Sequence, residues 1–281
     1  MEPIFYKHTD VAAPIVTKSA GSVSTLLKAC LVTGYGDING SGWSILHEDL
    51  AGNILVLRST SPKSMGCVLH ILDNSSSGAA SVIAYKDWDT INNKGVEKFG
   101  EGYFSGHWVA TSKWFVMATD RFFYLFLSTN AGTNFSMNGF GDVKSLDDKL
   151  DFSALIAPKG VADVVGNFGY TNVDTSMGTA YFPRRMYKGY LPGNESYGAS
   201  YSTGYASSVV VLTDFALYIG MAGSLQPLVQ LPGLLIPYAE ITVSQQGAYG
   251  TLDNQLPYRN PIVCVSQSYF GYAVLQMDDW G

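Results

Sequence analysis

Apolar residues in this chain fall in short blocks separated by breaks rich in glycine, serine and asparagine, a spacing that suits strands and turns better than long helices. Residues 42–48 and 53–58 make one such pair, joined by a hairpin-like turn through Asp49, Leu50, Ala51, Gly52 and Asn53. Residues 68–73 and 80–85 make another across the serine-rich stretch 74–78. The strongest pair is 113–118 with 122–127, broken by Thr119-Asp120-Arg121. Its arms, Trp114-Phe115-Val116-Met117 and Phe122-Phe123-Tyr124-Leu125-Phe126, are apolar at every position instead of alternate ones. That pattern predicts burial on both faces. A similar pair in the second half is 208–212 with 215–219, divided by Thr213-Asp214.

Helical signals are few. Residues 26–32 begin like a short helix that Gly34-Tyr35-Gly36 stops, and residues 146–155 hold the best remaining helical candidate. Residues 1–24, with Pro3 and Pro14, read as an extended arm, and 189–207 as a long Gly/Tyr/Ser connection. The predicted class is all-β: mainly antiparallel sandwich or barrel-like modules, one or two short helices and the extended N-terminal arm. The predicted organisation is an arm over 1–24, a β-rich module over 25–150, and a second module or a continuation of the same domain over 151–281.

Composition narrows the function classes. Only 14% of the 281 residues are charged, against about 25% in an average soluble protein. With 47% hydrophobic residues, 30 glycines and 18 tyrosines, the chain is neither disordered nor a long coiled coil. A net charge of -6 and a pI near 5.1 argue against nucleic acid as a partner, because phosphate neutralisation needs clustered Lys and Arg. Cys30, Cys67 and Cys264 lie far apart and predict buried free thiols in place of a disulfide framework or zinc site. The opening residues carry no basic and apolar leader pattern, and the uncharged run 215–239 is broken by Pro227, Pro232 and Pro237. The expectation is a soluble chain made in the cytoplasm, with no membrane insertion.

The most specific chemical pattern is Asp37-Ile38-Asn39-Gly40-Ser41-Gly42 with Glu48 at the twelfth position, the ligand spacing of an EF-hand calcium loop. Asp37, Asn39, Ser41 and Glu48 would supply the oxygens. Strand-like flanks and Ser44 at the eighth position favour a plain turn entering a strand, so calcium stands as a side reading and no other cofactor is expected. His8, His47, His70 and His107 are isolated in sequence, with no metal-binding or nucleophile motif around them. Acidic pairs occur at Asp87 and Asp89, Asp147 and Asp148, and Asp278 and Asp279, each readable as a turn or as a carboxylate pair. Trp88, Trp108 and Tyr103 would suit a stacking platform for sugars or bases, whereas Trp114 sits in an apolar strand and reads as core. No catalytic set emerges, and no enzymatic activity is expected.

The stretch Leu26-Leu27-Lys28-Ala29-Cys30-Leu31-Val32-Thr33-Gly34-Tyr35-Gly36, followed by Gly42-Trp43, resembles the opening of a family of tailed-bacteriophage virion structural proteins. Further segments resemble that family in order: 53–59, 122–126, 139–143, the proline-bracketed 231–237, and the closing Asp278-Asp279-Trp280-Gly281. The stretch after Pro237 and the connection 189–207 depart from its pattern. The resemblance implies a non-enzymatic virion subunit, localised to the particle after synthesis in the host cytoplasm. Its partners would be copies of itself in a symmetric homo-oligomer and other virion proteins. A ring in the tail, baseplate or tail junction is the first expectation and a head-decoration or neck protein the second. A carbohydrate-binding or adhesin module with a calcium site is the reading that does not rest on the resemblance.

Overall fold

A computed structural model of the chain describes residues 2–74, 79–105, 111–128, 135–145 and 152–158, and beyond these the strands at 171–175, 178–180, 212–221, 224–237, 262–267 and 271–276. In chain order, β1 (Ile4–Lys7) precedes α1 (Ser22–Lys28), which runs straight into one π-helical turn, Ala29–Thr33. Then come β2 (Trp43–Asp49), β3 (Ile54–Ser59), β4 (Val68–Leu72), β5 (Ala79–Asp89) and β6 (Lys94–Ser105). These five form an antiparallel meander in sequence order. The second sheet has eleven strands. Its main path is β1, β7 (Trp114–Ala118), β8 (Phe122–Ser128), β9 (Phe135–Ser145), β10 (Phe152–Pro158), β11 (Thr171–Thr175) and β12 (Gly178–Ala180). Joined to it through β9 are β13 (Leu212–Met221), β14 (Ser224–Pro237), β15 (Ile262–Gln267) and β16 (Gly271–Gln276). The chain is all-β with one short helix among the described residues, and none of its described helices is long and apolar enough to cross a membrane.

The two sheets share one core in a β-sandwich-like arrangement. Leu55 and Leu57 of β3, Leu69 and Ile71 of β4, and Ala80, Val82 and Ala84 of β5 alternate onto the inner face. They meet Val116 and Ala118 of β7, and Phe123, Leu125 and Leu127 of β8. Val23, Leu26 and Leu27 of α1, with Cys30 and Leu31 of the π turn, complete the same core. Each such large side chain contributes about 1.5–3 kcal/mol over its exposed state. The indole N–H of Trp43 donates to the carbonyl of Thr119 at 2.9 Å and ties the two sheets across the core.

The two-faced burial expected of 113–127 is present. Phe115, Met117, Phe122, Tyr124 and Phe126 point away from the shared core and are buried too. The Tyr124 hydroxyl donates to the carbonyl of Pro232 at 2.9 Å, so the proline-bracketed part of β14 covers this face.

Two expectations change. Residues 152–155, expected at the end of a helix, lie in β10, where Ser153, Ala154 and Leu155 are all buried against β9 and the core; residues 146–151 lie outside the described residues. Thr213 and Asp214, expected as a turn, lie inside β13, which continues through a register irregularity between Asp214 and Ala216. Residues 2–24 lie along their own chain: β1 pairs with β7, Val16 bridges Ser112, and the Trp114 indole donates to Pro14 at 2.9 Å. Sheet pairing also crosses residue 150, since β9 and β10 are neighbours.

Asp73, just past β4, fixes the helix to the sheet. Gly21 caps α1 with no side-chain acceptor of its own. The buried carboxylate of Asp73 takes that role, accepting the amide N–H groups of Val23 at 2.7 Å and Ser24 at 3.1 Å. Its carbonyl accepts the Gly21 N–H at 2.7 Å and its own N–H donates to Asn53 at 2.9 Å. Burial raises the Asp73 carboxyl above its ordinary range, against the lowering effect of the Ser24 and Val23 amides. Replacing Asp73 by Ala leaves buried amides without an acceptor and is expected to cost about 1–3 kcal/mol. Because the folded form holds its proton more tightly than the unfolded form, this group's contribution to stability falls as pH rises through the window above the usual carboxylate range. Denaturant unfolding of wild type and Asp73→Asn across that window checks the sign: only the wild type should show the decline.

Candidate functional site

The outer face of the five-stranded sheet gathers chemistry that the sequence scatters. The β2–β3 register sets His47 opposite Val56, and the β3–β4 register sets His70 opposite the same Val56. The two imidazoles therefore flank one valine, on the face opposite Leu55 and Leu57. A register shift between Ile45 and His47 aligns His47 with Val56. Trp88 of β5 packs over the same face. Its indole packs on Val56 and Val68, with Leu46, Ile54 and Tyr85 around it. The ring lies nearly parallel to both imidazoles, at 6.4 Å and 22° from His47 and at 5.8 Å and 19° from His70. Trp88 is only 7% exposed, so the stacking platform expected there is occupied by the protein's own rings.

Apolar packing and ring contact hold this cluster. Among the described residues, the Trp88 indole nitrogen, His70 Nδ1 and Arg58 Nε are buried without a hydrogen-bond partner. Desolvation lowers the His70 pKa, and the neighbouring His47 lowers it further. Arg58 pairs with Asp87 at the rim. The Trp88 amide and then the Arg58 guanidinium hold the Asp87 carboxyl below its usual range. Asp89 is lowered too, by the Asn92 side chain and amide, as it closes the turn after β5 through Ile91 and Asn92. General acid catalysis by a carboxylate pair needs one member raised so that it carries a proton. Asp87 and Asp89 are both lowered and both used by the hairpin.

The four calcium-loop residues occupy different settings. Asp37 is exposed in a tight turn whose ends, Tyr35 and Ile38, exchange both backbone bonds at 3.0 Å. Asn39 is exposed, and its carbonyl accepts the Tyr6 hydroxyl at 2.7 Å. Ser41 is buried. Glu48 lies on β2 with both carboxylate oxygens 2.8 Å from the Lys28 ammonium. A lysine cation thus occupies the carboxylate that would close the shell. No group of three or more His, Cys, Asp or Glu side chains suited to a metal occurs among the described residues.

The remaining sequence candidates divide. His8 Nδ1 lies 3.1 Å from the Trp114 carbonyl, and Trp114 is core as expected. Cys30 and Cys67 are buried free thiols. His107, Trp108, Asp147, Asp148, Asp278 and Asp279 lie outside the described residues, as does the connection 189–207. Comparison with protein-family models and with curated proteins gives no match.

With Lys28 seated on Glu48, addition of millimolar calcium followed by EGTA is expected to leave the melting temperature unchanged. A rise that grows with the logarithm of calcium concentration would show instead that the loop takes the ion in the folded state.

Proposed function

We propose that the protein is a non-enzymatic structural subunit of a tailed-phage virion, a ring-forming component of the tail, baseplate or tail junction. The observation that carries this reading is the place in the fold of the residues that resemble that family. Leu26, Leu27, Cys30, Leu31 and Trp43 are core residues where α1, the π turn and β2 meet. The further matching segments fall on β3, β8, β9 and β14. A resemblance concentrated on the residues that build a scaffold supports kinship of architecture, and the chemistry it suggests is assembly. Large sheets and a weakly charged exterior suit a subunit whose surface is covered by copies and neighbours.

Glycan recognition has less to stand on, because Trp88, one of the residues that motivated it, is stacked on histidines of its own sheet. Quantitative mass spectrometry of gradient-purified, salt-washed particles tests the virion reading. Several copies of the chain per particle are expected, and its loss on washing would overturn the assignment. In a particle reconstruction, density in the tail or baseplate separates the ring reading from head decoration.

A further inference from the structure

The β5–β6 hairpin is longer than the sheet that carries it. β4 ends its pairing with β5 at Val68 and Tyr85, so residues 86–97 continue as a two-stranded ribbon with no third strand among the described residues. Its turn presents Ile91, 89% exposed. A two-stranded ribbon is marginal in water unless a face is packed. Trp88 supplies that packing for this ribbon, seated on Val56 and Val68 and stacked beside two imidazoles.

We propose that His47, Trp88 and His70 form an acid-operated latch: uncharged imidazoles seat the indole and hold the ribbon down, and protonation of the pair releases it. The charged and titratable groups around the latch set the direction. From β2 come His47 and Asp49, from β3 Arg58, from β4 His70, from β5 Tyr85 and Asp87, and from β6 Lys98 and Glu101. Asp87 is taken by Arg58, Glu101 by Lys98 at 2.9 Å, and Asp49 by the Ala51 amide at 3.0 Å. Among the described residues no carboxylate pairs with either imidazole. One imidazolium gains about 0.5–1 kcal/mol from an indole face. Burying that charge without a counter-ion costs more, and a second proton adds repulsion between the two rings.

Burial of His70 lowers its pKa, so the released form takes up protons at a higher pH than the seated form. Release is therefore favoured as pH falls through and below the ordinary histidine range. It uncovers the indole together with Val56 and Val68, an apolar surface that is hidden at neutral pH. This inference does not depend on the virion reading.

Hydrogen-exchange mass spectrometry on the full chain at about pH 5 and about pH 7.5, corrected for intrinsic rates, tests it. Residues 86–97 are expected to lose protection about tenfold at the lower pH while β8 keeps its own. The double variant His47→Gln, His70→Gln should lose that difference. Equal protection of the ribbon at both pH values, or the same loss in the double variant, would overturn the latch. Should the double variant fail to fold, judged by exchange in β8, the wild type is titrated by NMR. A shared midpoint for the His70 ring proton and the Trp88 indole N–H supports the latch, and separate midpoints overturn it.

Discussion

A helix of seven residues does not hold itself in water, because nucleation fixes several residues for its first hydrogen bond. In this protein the helix exists because a carboxylate some fifty residues away in sequence accepts its first free amides. Much else follows from that anchor. With α1 pinned at Asp73, its apolar side fills the space between the two sheets and Lys28 reaches Glu48 on β2. The chain must then turn back sharply after the π turn. Gly34, at φ 76°, makes that turn where a Cβ would lie 2.3 Å from the Ile38 carbonyl oxygen. The returning loop offers the Asn39 carbonyl to Tyr6 and the Tyr35 hydroxyl to Asp10 at 2.9 Å. The N-terminal strand is thereby fastened to the same joint. The carboxylate bears the cost of its own burial, and its two amide bonds offset part of it.

What the sequence disclosed followed the physics of burial. Continuous apolar runs such as 122–127 identified strands because only a doubly covered strand can hide both faces. β6 escaped notice because Lys94, Gly95, Glu97, Lys98, Gly100 and Glu101 carry an edge strand's solubility, not a strand's propensity. The helical reading of 146–155 failed at Phe152–Leu155, where sheet pairing with β9 decided the conformation. Thr213-Asp214 looked like a turn because polar pairs often are, yet a bulge lets β13 absorb them. The histidine–tryptophan cluster was legible only as three separate residues. Its assembly rests on two strand registers and the register shift at His47, and no spacing along the chain encodes these.

The two faces of the five-stranded sheet divide stability from response. The inner face joins aliphatic and aromatic groups whose packing has no dependence on protonation. The outer face has a smaller cluster in which titratable rings take the place of leucines. A pH-sensitive contact placed in the shared core would threaten the whole fold. On the outer face, its loss is confined to a ribbon that no third strand pairs with among the described residues.

The shortage of charge also changes meaning when the charges are located. Lys86 pairs with Glu97 at 2.8 Å, Lys98 with Glu101 at 2.9 Å, and Arg58 with Asp87, all on or beside the β5–β6 hairpin. Exposed pairs of this kind contribute little stability, about 0–1 kcal/mol each. Their effect is on association. A strand edge lined with charged side chains resists pairing with another chain, because those charges would have to be desolvated against the newcomer. Charge on β6 therefore protects that edge from indiscriminate pairing.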